Sequence, residues 1–406
     1  MHKFVNAAKP LTSKDITSMD KSGRSRHKPL VMHLTLAAAT LADPQFQENE
    51  TIDEAFWQKP EGKNAKASMK KVVSGIRNYQ LHSFKRPETK RPIIWQDGEV
   101  RVFHYLPKKK VKGRILVIPS MINGSEILDL LPDKSMMNWL AEKGFESFLL
   151  DWGDLTNDKE LKSIDHALGK KIKKLLKWLK AQSDLPLTGL GYCMGGLLLA
   201  ATDQLYPKAF GNLVFIATPW DFKKDTKGNF SESVINWAKD GLPQTMHLDY
   251  MPAQWLQMIF AGVDASLIAR KFSAFADMDQ SSKDAELFVA VEDWVNGGSD
   301  LPTSIVHHTV GGWYVDNKPV KGEWEVAGKI ISPENIAKPA FIIVPGRDKI
   351  VPPASARPLG KKIKKVKMIE PDCGHISMMV GRNAETEVWI PMRNWIISQR
   401  NIETKP

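Results

Sequence analysis

The feature that most constrains the fold of this chain is the motif Gly191-Tyr192-Cys193-Met194-Gly195-Gly196. An apolar run at residues 185–190 precedes it, and a second at 197–201 follows it. A strand that turns sharply into a helix is the context of a nucleophile elbow. Gly191 and Gly195 lie two residues before and two residues after Cys193. They allow the strand and the helix to approach closely while Cys193 is held in a strained backbone conformation. The partial positive charge at the start of the helix lies beside the sulfur and favours the thiolate form of Cys193. The alternative is that Cys193 is only a small buried residue in a glycine-rich turn.

Two residues further along the chain favour the catalytic interpretation. Asp348 follows a predicted buried strand at residues 341–345, and His375 follows a second predicted strand at 367–370. Open α/β sheets build their sites just beyond the carboxyl ends of such strands. The order nucleophile, acid, base is the order of the α/β-hydrolase triad. Asp348 or His375 alone would more often be a capping or core residue, but together with Cys193 they predict a catalytic triad.

Strand and helix patterns alternate through most of the remaining sequence. This alternation predicts an α/β class, with a doubly wound, mostly parallel sheet of the α/β-hydrolase fold. Strands are predicted near residues 93–95, 100–106, 115–118, 147–152 and 213–217, and a helix is predicted at 135–143. The charged segment 107–112 is interpreted as a hairpin turn. The predicted organisation is a basic, helical N-terminal segment at 1–92, core at 93–218, an inserted helical cap at 219–332, and core again at 333–406.

The predicted cap breaks the alternating pattern and is rich in tryptophan. Six of the tryptophans lie there: Trp220, Trp237, Trp255, Trp294, Trp313 and Trp324. An apolar cap would keep the cleft over the nucleophile poor in water. The pair His307-His308 also lies in this stretch, but the sequence offers no third ligand, so no metal site is predicted.

The charge of the chain is concentrated near its start. Residues 1–112 hold 22 of the 57 Lys and Arg residues but 11 of the 46 Asp and Glu residues. The sequence there has no zinc spacing and no repeat, so a solvated surface is favoured over a nucleic-acid site. The apolar run 30–42 is too short to span a bilayer and predicts a packed or interfacial helix, so no transmembrane segment is expected. No secretory signal is seen, and two cysteines in all favour a cytoplasmic location.

A lysine-rich segment at residues 165–182 predicts a crossover helix. Ile172, Leu175, Leu176 and Leu179 form one apolar stripe at helical spacing. The lysines between them are interpreted as a solvated face. The alternative is a helix that lies on a membrane surface.

Residues 93–397 resemble the polyhydroxyalkanoate synthases, which are cysteine-dependent polyester polymerases of the α/β-hydrolase fold. The matching segments are Val117–Asn123, Ile127–Leu130, Asp151–Gly153, Gly191–Gly196, Ala217–Phe222, Asp348–Pro353 and Gly374–Ile376. The Asp151–Gly153 segment, the run 374–381 and the short N-terminal region are most similar to the short catalytic chain of the two-subunit synthases. The resemblance implies a hydroxyacyl-CoA thioester as substrate, with coenzyme A as leaving group and no bound cofactor.

The resemblance also implies roles and partners. His375, oriented by Asp348, would take the proton of Cys193, and the backbone N–H groups of Met194 and Met121 would form the oxyanion hole. Expected partners are the surface of a polyester granule, a second copy of the chain, or an accessory synthase subunit. Two alternatives stay open: a cysteine-dependent acyl-CoA thioesterase or polyester depolymerase of the same fold, and a non-catalytic granule-associated homologue.

Overall fold

An eight-stranded, mostly parallel sheet forms the centre of the computed structural model, which describes residues 32–35, 37, 55–87, 91–108, 110–227, 230–262 and 265–403. The strand order is β1-β2-β6-β3-β7-β8-β13-β14. These strands are β1 Ile93–Asp97, β2 Val100–Tyr105, β3 Gly113–Ile118, β6 Phe145–Asp151, β7 Leu187–Tyr192, β8 Asn212–Ile216, β13 Ala340–Ile343 and β14 Val366–Ile369. Within this sheet, β2 runs antiparallel to its two neighbours β1 and β6, and the other neighbouring strands pair in parallel. The predicted α/β-hydrolase fold class is confirmed.

Short two-stranded pairs and helices fill the connections. The short strands are β4 Asp129–Leu131, β5 Lys134–Ser135, β9 Tyr250–Met251, β10 Leu301–Pro302, β11 Glu325–Val326 and β12 Lys329–Ile330. The helices are α1 Pro60–Leu81, α2 Met136–Glu142, α3 Lys173–Gln182, α4 Met194–Leu205, α5 Phe230–Thr245, α6 Ala253–Gly262, α7 Ala265–Ala276, α8 Lys283–Asn296, α9 Thr303–Val306, α10 Lys318–Lys321, α11 Pro353–Lys362, α12 Ser377–Val380 and α13 Ile390–Glu403.

Both faces of the sheet are buried beneath helices. In β3, Leu116 and Ile118 face the core that contains α3 and α4, while Ile115 and Val117 face the core that contains α2 and α13. Successive side chains of a strand point to opposite faces, so a strand that is apolar at every position must be covered on both. This is why β3, β8 and β13 consist largely of consecutive apolar residues rather than alternating apolar and polar ones.

The predicted hairpin at residues 107–112 is wrong. Strand β6 lies between β2 and β3, so these two consecutive strands are not neighbours. The segment instead passes the start of β6, where the N–H of Lys112 donates a hydrogen bond to the carbonyl oxygen of Gly144 at 2.7 Å. A short charged loop between two strand patterns is typical of a hairpin, but loop length alone does not reveal that a third strand is inserted between them.

The lysine-rich crossover helix is present, with one correction to its solvated face. Helix α3 continues a π-helical turn at Ala167–Ile172, and the four predicted stripe residues are buried in the core. Lys171, however, is only 2% exposed. Its Nζ lies 3.2 Å from Asp158 Oδ2 and 3.7 Å from Asp97 Oδ1. Lys171 is therefore a buried cation whose charge is compensated by Asp158 and Asp97, and not part of the solvated face.

The inserted and N-terminal segments pack together. Residues between β8 and β13 contain α5–α10, consistent with an insertion, while the stated domain limits stay predictions. Helix α1 packs on α7 so closely that a Cβ on Gly75 would lie 1.8 Å from the carbonyl oxygen of Phe272. The predicted helix at 30–42 is described only at residues 32–35 and 37, which are helical, and residues 1–28 lie outside the described part. Every helix within the described ranges is too short or too polar to cross a lipid bilayer.

Candidate active site

Cys193 lies at the predicted corner between β7 and α4. Its backbone has φ 56° and ψ −125°, a conformation that a residue with a side chain rarely adopts. The N–H of Cys193 donates to the carbonyl oxygen of Ile216 at 2.8 Å, which ties the corner to the neighbouring strand β8. The side chain is half-buried. Strain of this kind persists only where the surroundings over-determine it, and it is common at reactive residues.

The glycines of the motif are required by close contacts around this corner. A Cβ on Gly191 would lie 2.5 Å from the Cα of Gly196, and one on Gly195 would lie 1.9 Å from the carbonyl oxygen of Ile118. A Cβ on Gly196 would lie 1.9 Å from Thr218 Oγ1. None of these positions has room for a side chain. The sequence therefore places glycine wherever strand, helix and neighbouring loop meet.

The carboxylate of Asp348 is held by its own loop and directed at the imidazole. Its Oδ1 accepts hydrogen bonds from the backbone N–H groups of Ile350 and Val351, both at 2.8 Å. Its Oδ2 lies 2.6 Å from Nδ1 of His375. The Asp348 side chain is fully buried. With one oxygen held by the backbone, the other is fixed in position to orient the ring.

His375 joins the carboxylate to the thiol. Nδ1 faces Asp348, and Cys193 lies near enough to the imidazole to raise the pKa of His375. Nε2 is the ring nitrogen that remains for the sulfur. Burial lowers the pKa of the imidazole, but the charges of Asp348 and Cys193 outweigh burial and raise the pKa of His375 to about 10. The structure thus pairs Asp348 with His375 and places Cys193 near the imidazole, while the catalytic roles of the three residues stay predictions.

Tyr192 and Tyr314 line the site and were missed by the sequence analysis. The hydroxyl of Tyr192 donates to the carbonyl oxygen of His375 at 3.0 Å, and the two rings are 5.2 Å apart. Burial, and then the charge of Cys193, raises the pKa of Tyr314. Tyr192 was detectable because it lies within the elbow motif. Tyr314 lies in a π-helix, His307–Val315, whose wider turn alters which side chains share a face.

The predicted oxyanion donors lie on the correct elements. Met194 is the first residue of α4, where a backbone N–H has no partner within the helix. Met121 lies in the loop after β3 and is buried. In the same loop, the N–H of Ile122 already donates to Ser120 Oγ at 3.0 Å. The assignment of Met194 and Met121 as donors stays a prediction.

The tryptophans of the inserted segment form much of its core. Trp220, Trp313 and Trp324 are almost completely buried, and the rings of Trp313 and Trp324 meet edge-to-face at 5.4 Å. The two neighbouring histidines take part in hydrogen bonds with nearby side chains. His307 Nε2 lies 3.1 Å from Thr245 Oγ1, and His308 Nε2 accepts from Trp324 Nε1 at 2.8 Å. In the part of the chain that the structure describes, no three His, Cys, Asp or Glu residues are grouped to hold a metal.

Curated relatives carry one shared name. The chain is 25% identical to the poly(3-hydroxyalkanoate) polymerase subunit PhaC of Haloferax mediterranei over 78% of this chain and 65% of that protein. It is 24% identical to the subunit of the same name from Haloarcula marismortui, over 84% and 74%. It is 25% identical to that of Thiocystis violacea, over 70% and 81%. The chain therefore spans between about two thirds and four fifths of the length of these three relatives.

A solved structure and a family model are similar to this chain. Est1E from Butyrivibrio proteoclasticus is similar with a TM-score of 0.45 and 13% identity, over 76% of this chain and 98% of that one. The family model described as alpha/beta hydrolase fold matches residues 113–382, which include the elbow, Asp348 and His375. With the observed strand order and the strand–elbow–helix at Cys193, this match shows that the chain belongs to the alpha/beta hydrolase fold family.

Proposed function

We propose that this chain is the catalytic chain of a polyester synthase, which transfers hydroxyacyl groups from hydroxyacyl-CoA to a growing polyhydroxyalkanoate. The proposal depends on one observation above all: the fold presents a cysteine, not a serine, next to an imidazole held by a buried carboxylate. The names of the curated relatives supply the substrate class. Cysteine suits this reaction because exchange of one thioester for another keeps the acyl group activated, whereas a serine ester would lose that free energy.

The first half-reaction loads the enzyme. The proton of the Cys193 thiol moves to Nε2 of His375, and the sulfur attacks the carbonyl carbon of the substrate thioester. The carbonyl oxygen becomes an oxyanion, for which the N–H groups of Met194 and Met121 are the proposed donors. One such donor is typically worth about 3 kcal/mol in the transition state. The bond from the carbonyl carbon to the CoA sulfur then breaks, and the CoA sulfur takes the proton from His375.

The second half-reaction lengthens the polymer. His375 accepts the proton of a hydroxyl group on a second monomer or on the chain end, and that oxygen attacks the acyl-Cys193 thioester. The new ester bond forms as the carbon–sulfur bond breaks, and the proton returns to the sulfur of Cys193. Asp348 keeps the imidazole in the orientation that both transfers require.

The choice of acceptor separates a synthase from a hydrolase with the same triad. Water would release the free acid, so a synthase must keep water away from the acyl-enzyme. The aromatic residues of the inserted segment support this role. Phe222 and Phe230 both pack edge-to-face on Tyr314, with ring centroids 4.6 Å and 5.8 Å away. Tyr314 in turn lies near Cys193, whose charge contributes to the raised pKa of the Tyr314 hydroxyl.

The protein needs no resident cofactor in this proposal, since CoA enters and leaves as part of the substrate. We further propose that it acts at a polyester granule in the cytoplasm, as a homodimer or with an accessory subunit. The decisive measurement is product analysis after incubation with short-chain and medium-chain 3-hydroxyacyl-CoA, with and without cell extract to supply a partner. CoA release with polymer supports the proposal. CoA release with free acid shows a thioesterase, and no CoA release under either condition refutes a catalytic role.

A further inference from the structure

The loop that carries the proposed oxyanion donor is attached to the inserted helices. Asn123 Nδ2 donates to the carbonyl oxygens of Trp294 and Val295, both at 3.1 Å. In the opposite direction, Trp294 Nε1 donates to the carbonyl oxygen of Gly124 at 2.8 Å. These hydrogen bonds fix residues 120–124 to the last turn of α8. The position of the Met121 N–H therefore depends on where that turn lies.

The last turn of α8 is attached in turn to helix α1. The hydroxyl of Tyr79 donates to Asp293 Oδ1 at 2.9 Å, and Asn296 Nδ2 donates to the Tyr79 hydroxyl at 3.4 Å. Tyr79 is completely buried. Burial and the neighbouring Asp293 raise its pKa well above the usual range, so the phenol stays protonated and keeps donating. One hydroxyl thus connects α1 to the residues on either side of Trp294 and Val295.

Helix α1 packs against α7, and α7 is joined to α8 by an ion pair. Gly75 lets the backbones of α1 and α7 approach closely, because a Cβ there would lie 1.8 Å from the carbonyl oxygen of Phe272. Lys271 of α7 forms an ion pair with Glu292 of α8, with Nζ 2.7 Å from Oε2. All of α1 lies outside residues 113–382, the part that matches the family model. The anchor for α8 is therefore supplied by a segment that lies outside the family match.

We propose that Tyr79 is a positioning residue for the reaction at Cys193, and that it holds the oxyanion loop in place through the end of α8 and Asn123. The inference rests on the proposed function, because it assumes acyl transfer through an oxyanion. Tyr79 is about 200 residues from the loop's partner helix in sequence and touches no reacting atom. It acts on geometry alone: without the Tyr79 hydroxyl, the α8 turn and the attached loop gain freedom to move.

The test compares two reactions of the same sulfur. Tyr79→Phe removes only the hydroxyl and keeps the ring in the core. We expect kcat for CoA release, and the acylation burst with p-nitrophenyl butyrate, to fall by about tenfold with little change in KM, as part of one oxyanion donor's contribution is lost. Alkylation of Cys193 by iodoacetamide should keep the wild-type rate, because displacement at a saturated carbon forms no oxyanion.

A matched control is available in Tyr206, whose hydroxyl donates to the carbonyl oxygen of Leu168 at 2.9 Å, away from this chain of contacts. Tyr206→Phe should leave both reactions unchanged. Asn123→Asp tests the loop end without any change in α1, and it should also slow acylation while sparing alkylation. A wild-type acylation rate in Tyr79→Phe would overturn the inference, as would equal slowing of acylation and alkylation. If wild-type protein shows the ester burst but makes no polymer, the proposed function fails while this inference is still decided by the ester reaction.

Discussion

Asp348 Oδ2 and His375 Nδ1 lie 2.6 Å apart, although 27 residues separate them in sequence and they leave different strands of the sheet. The pairing depends on β13 and β14 being adjacent and parallel, so that the loops after both strands emerge at the same edge. Cys193 reaches that edge from β7, two strands away from β13. The sheet order therefore assembles the site.

Cys193 is expected to be the reactive thiol, and Cys373 is not. Cys193→Ala should lower CoA release by about 10⁴-fold or more, since a triad without its nucleophile retains little of its catalysis. Cys373→Ala serves as the control. Burial and the nearby charges of Glu387 and Asp348 raise the pKa of Cys373 to about 11, so its thiol stays protonated at neutral pH. Mass spectrometry after brief iodoacetamide treatment at pH 7.5 should find the label on Cys193. Rapid labelling of Cys373 would contradict this assignment.

Asp348→Asn should disable catalysis and change how stability depends on pH. We expect kcat to fall by about 10⁴-fold, because an amide does not hold the imidazole in the required tautomer and charge state. The pKa of His375 is raised to about 10 in the folded protein, so the charged form stabilises the fold. That contribution is fully present below the ordinary histidine pKa of about 6.5 and is lost as the pH rises through about 10.

Urea unfolding at several pH values measures this second effect. The free energy of unfolding of the wild-type protein, relative to Asp348→Asn, should be greatest near pH 6 and should decrease as the pH approaches 10. In the variant, burial without the carboxylate lowers the pKa of the imidazole, so the proton is lost at a lower pH. A difference between the two proteins that stays constant from pH 6 to 10 would show that His375 does not carry the raised pKa.

Gly195→Ala should destabilise the protein, whereas Gly169→Ala should not. A Cβ at Gly195 would meet the backbone carbonyl of Ile118 at 1.9 Å, and the strand cannot move without disturbing the sheet. The cost of such overpacking is about 1–3 kcal/mol. At Gly169 the nearest atom would be Ala327 Cβ at 3.7 Å, an ordinary contact, and alanine favours a helix by about 0.5–1 kcal/mol. Thermal unfolding compares the two variants, and equal melting temperatures would count against the close contact.

Lys171→Met should cost much more stability than Lys174→Met. Lys171 and its partner Asp158 have side chains only 3% exposed, and removal of the cation would leave the buried Asp158 carboxylate with its backbone N–H donors but without the Lys171 counter-charge. Breaking such a pair typically costs about 3–5 kcal/mol. Lys174 also pairs with Asp97, but its side chain is 58% exposed, so its replacement should have little effect. Denaturant midpoints of the two variants provide the comparison, and a similar small shift in both would show that Lys171 is hydrated.

The elements with strong local signals could be predicted from the sequence, and those that depend on distant contacts could not. The elbow, the buried strands and the loops of Asp348 and His375 each have a local pattern. The failed hairpin at 107–112 and the buried Lys171 both depend on which segments become neighbours. The contact between Asn123 and Trp294 joins residues 171 apart in sequence, and neither segment has a local pattern that would predict it. Tyr79 likewise resembles any apolar-face residue of an amphipathic helix.

The support of Asp348 by its own loop has a consequence for how such a site diversifies. Its carboxylate is held by the N–H groups of Ile350 and Val351 and by the ring of His375, all of which lie outside the insertion in sequence. The inserted helices reach this loop through the backbone, where the N–H of Phe230 donates to the carbonyl oxygen of Lys349 at 3.0 Å, whereas they bind the loop around Asn123 through side chains. Proteins of this fold can therefore differ in the inserted helices, and with them in the acceptor that they prefer, while the reactive cysteine and the histidine–aspartate pair are kept.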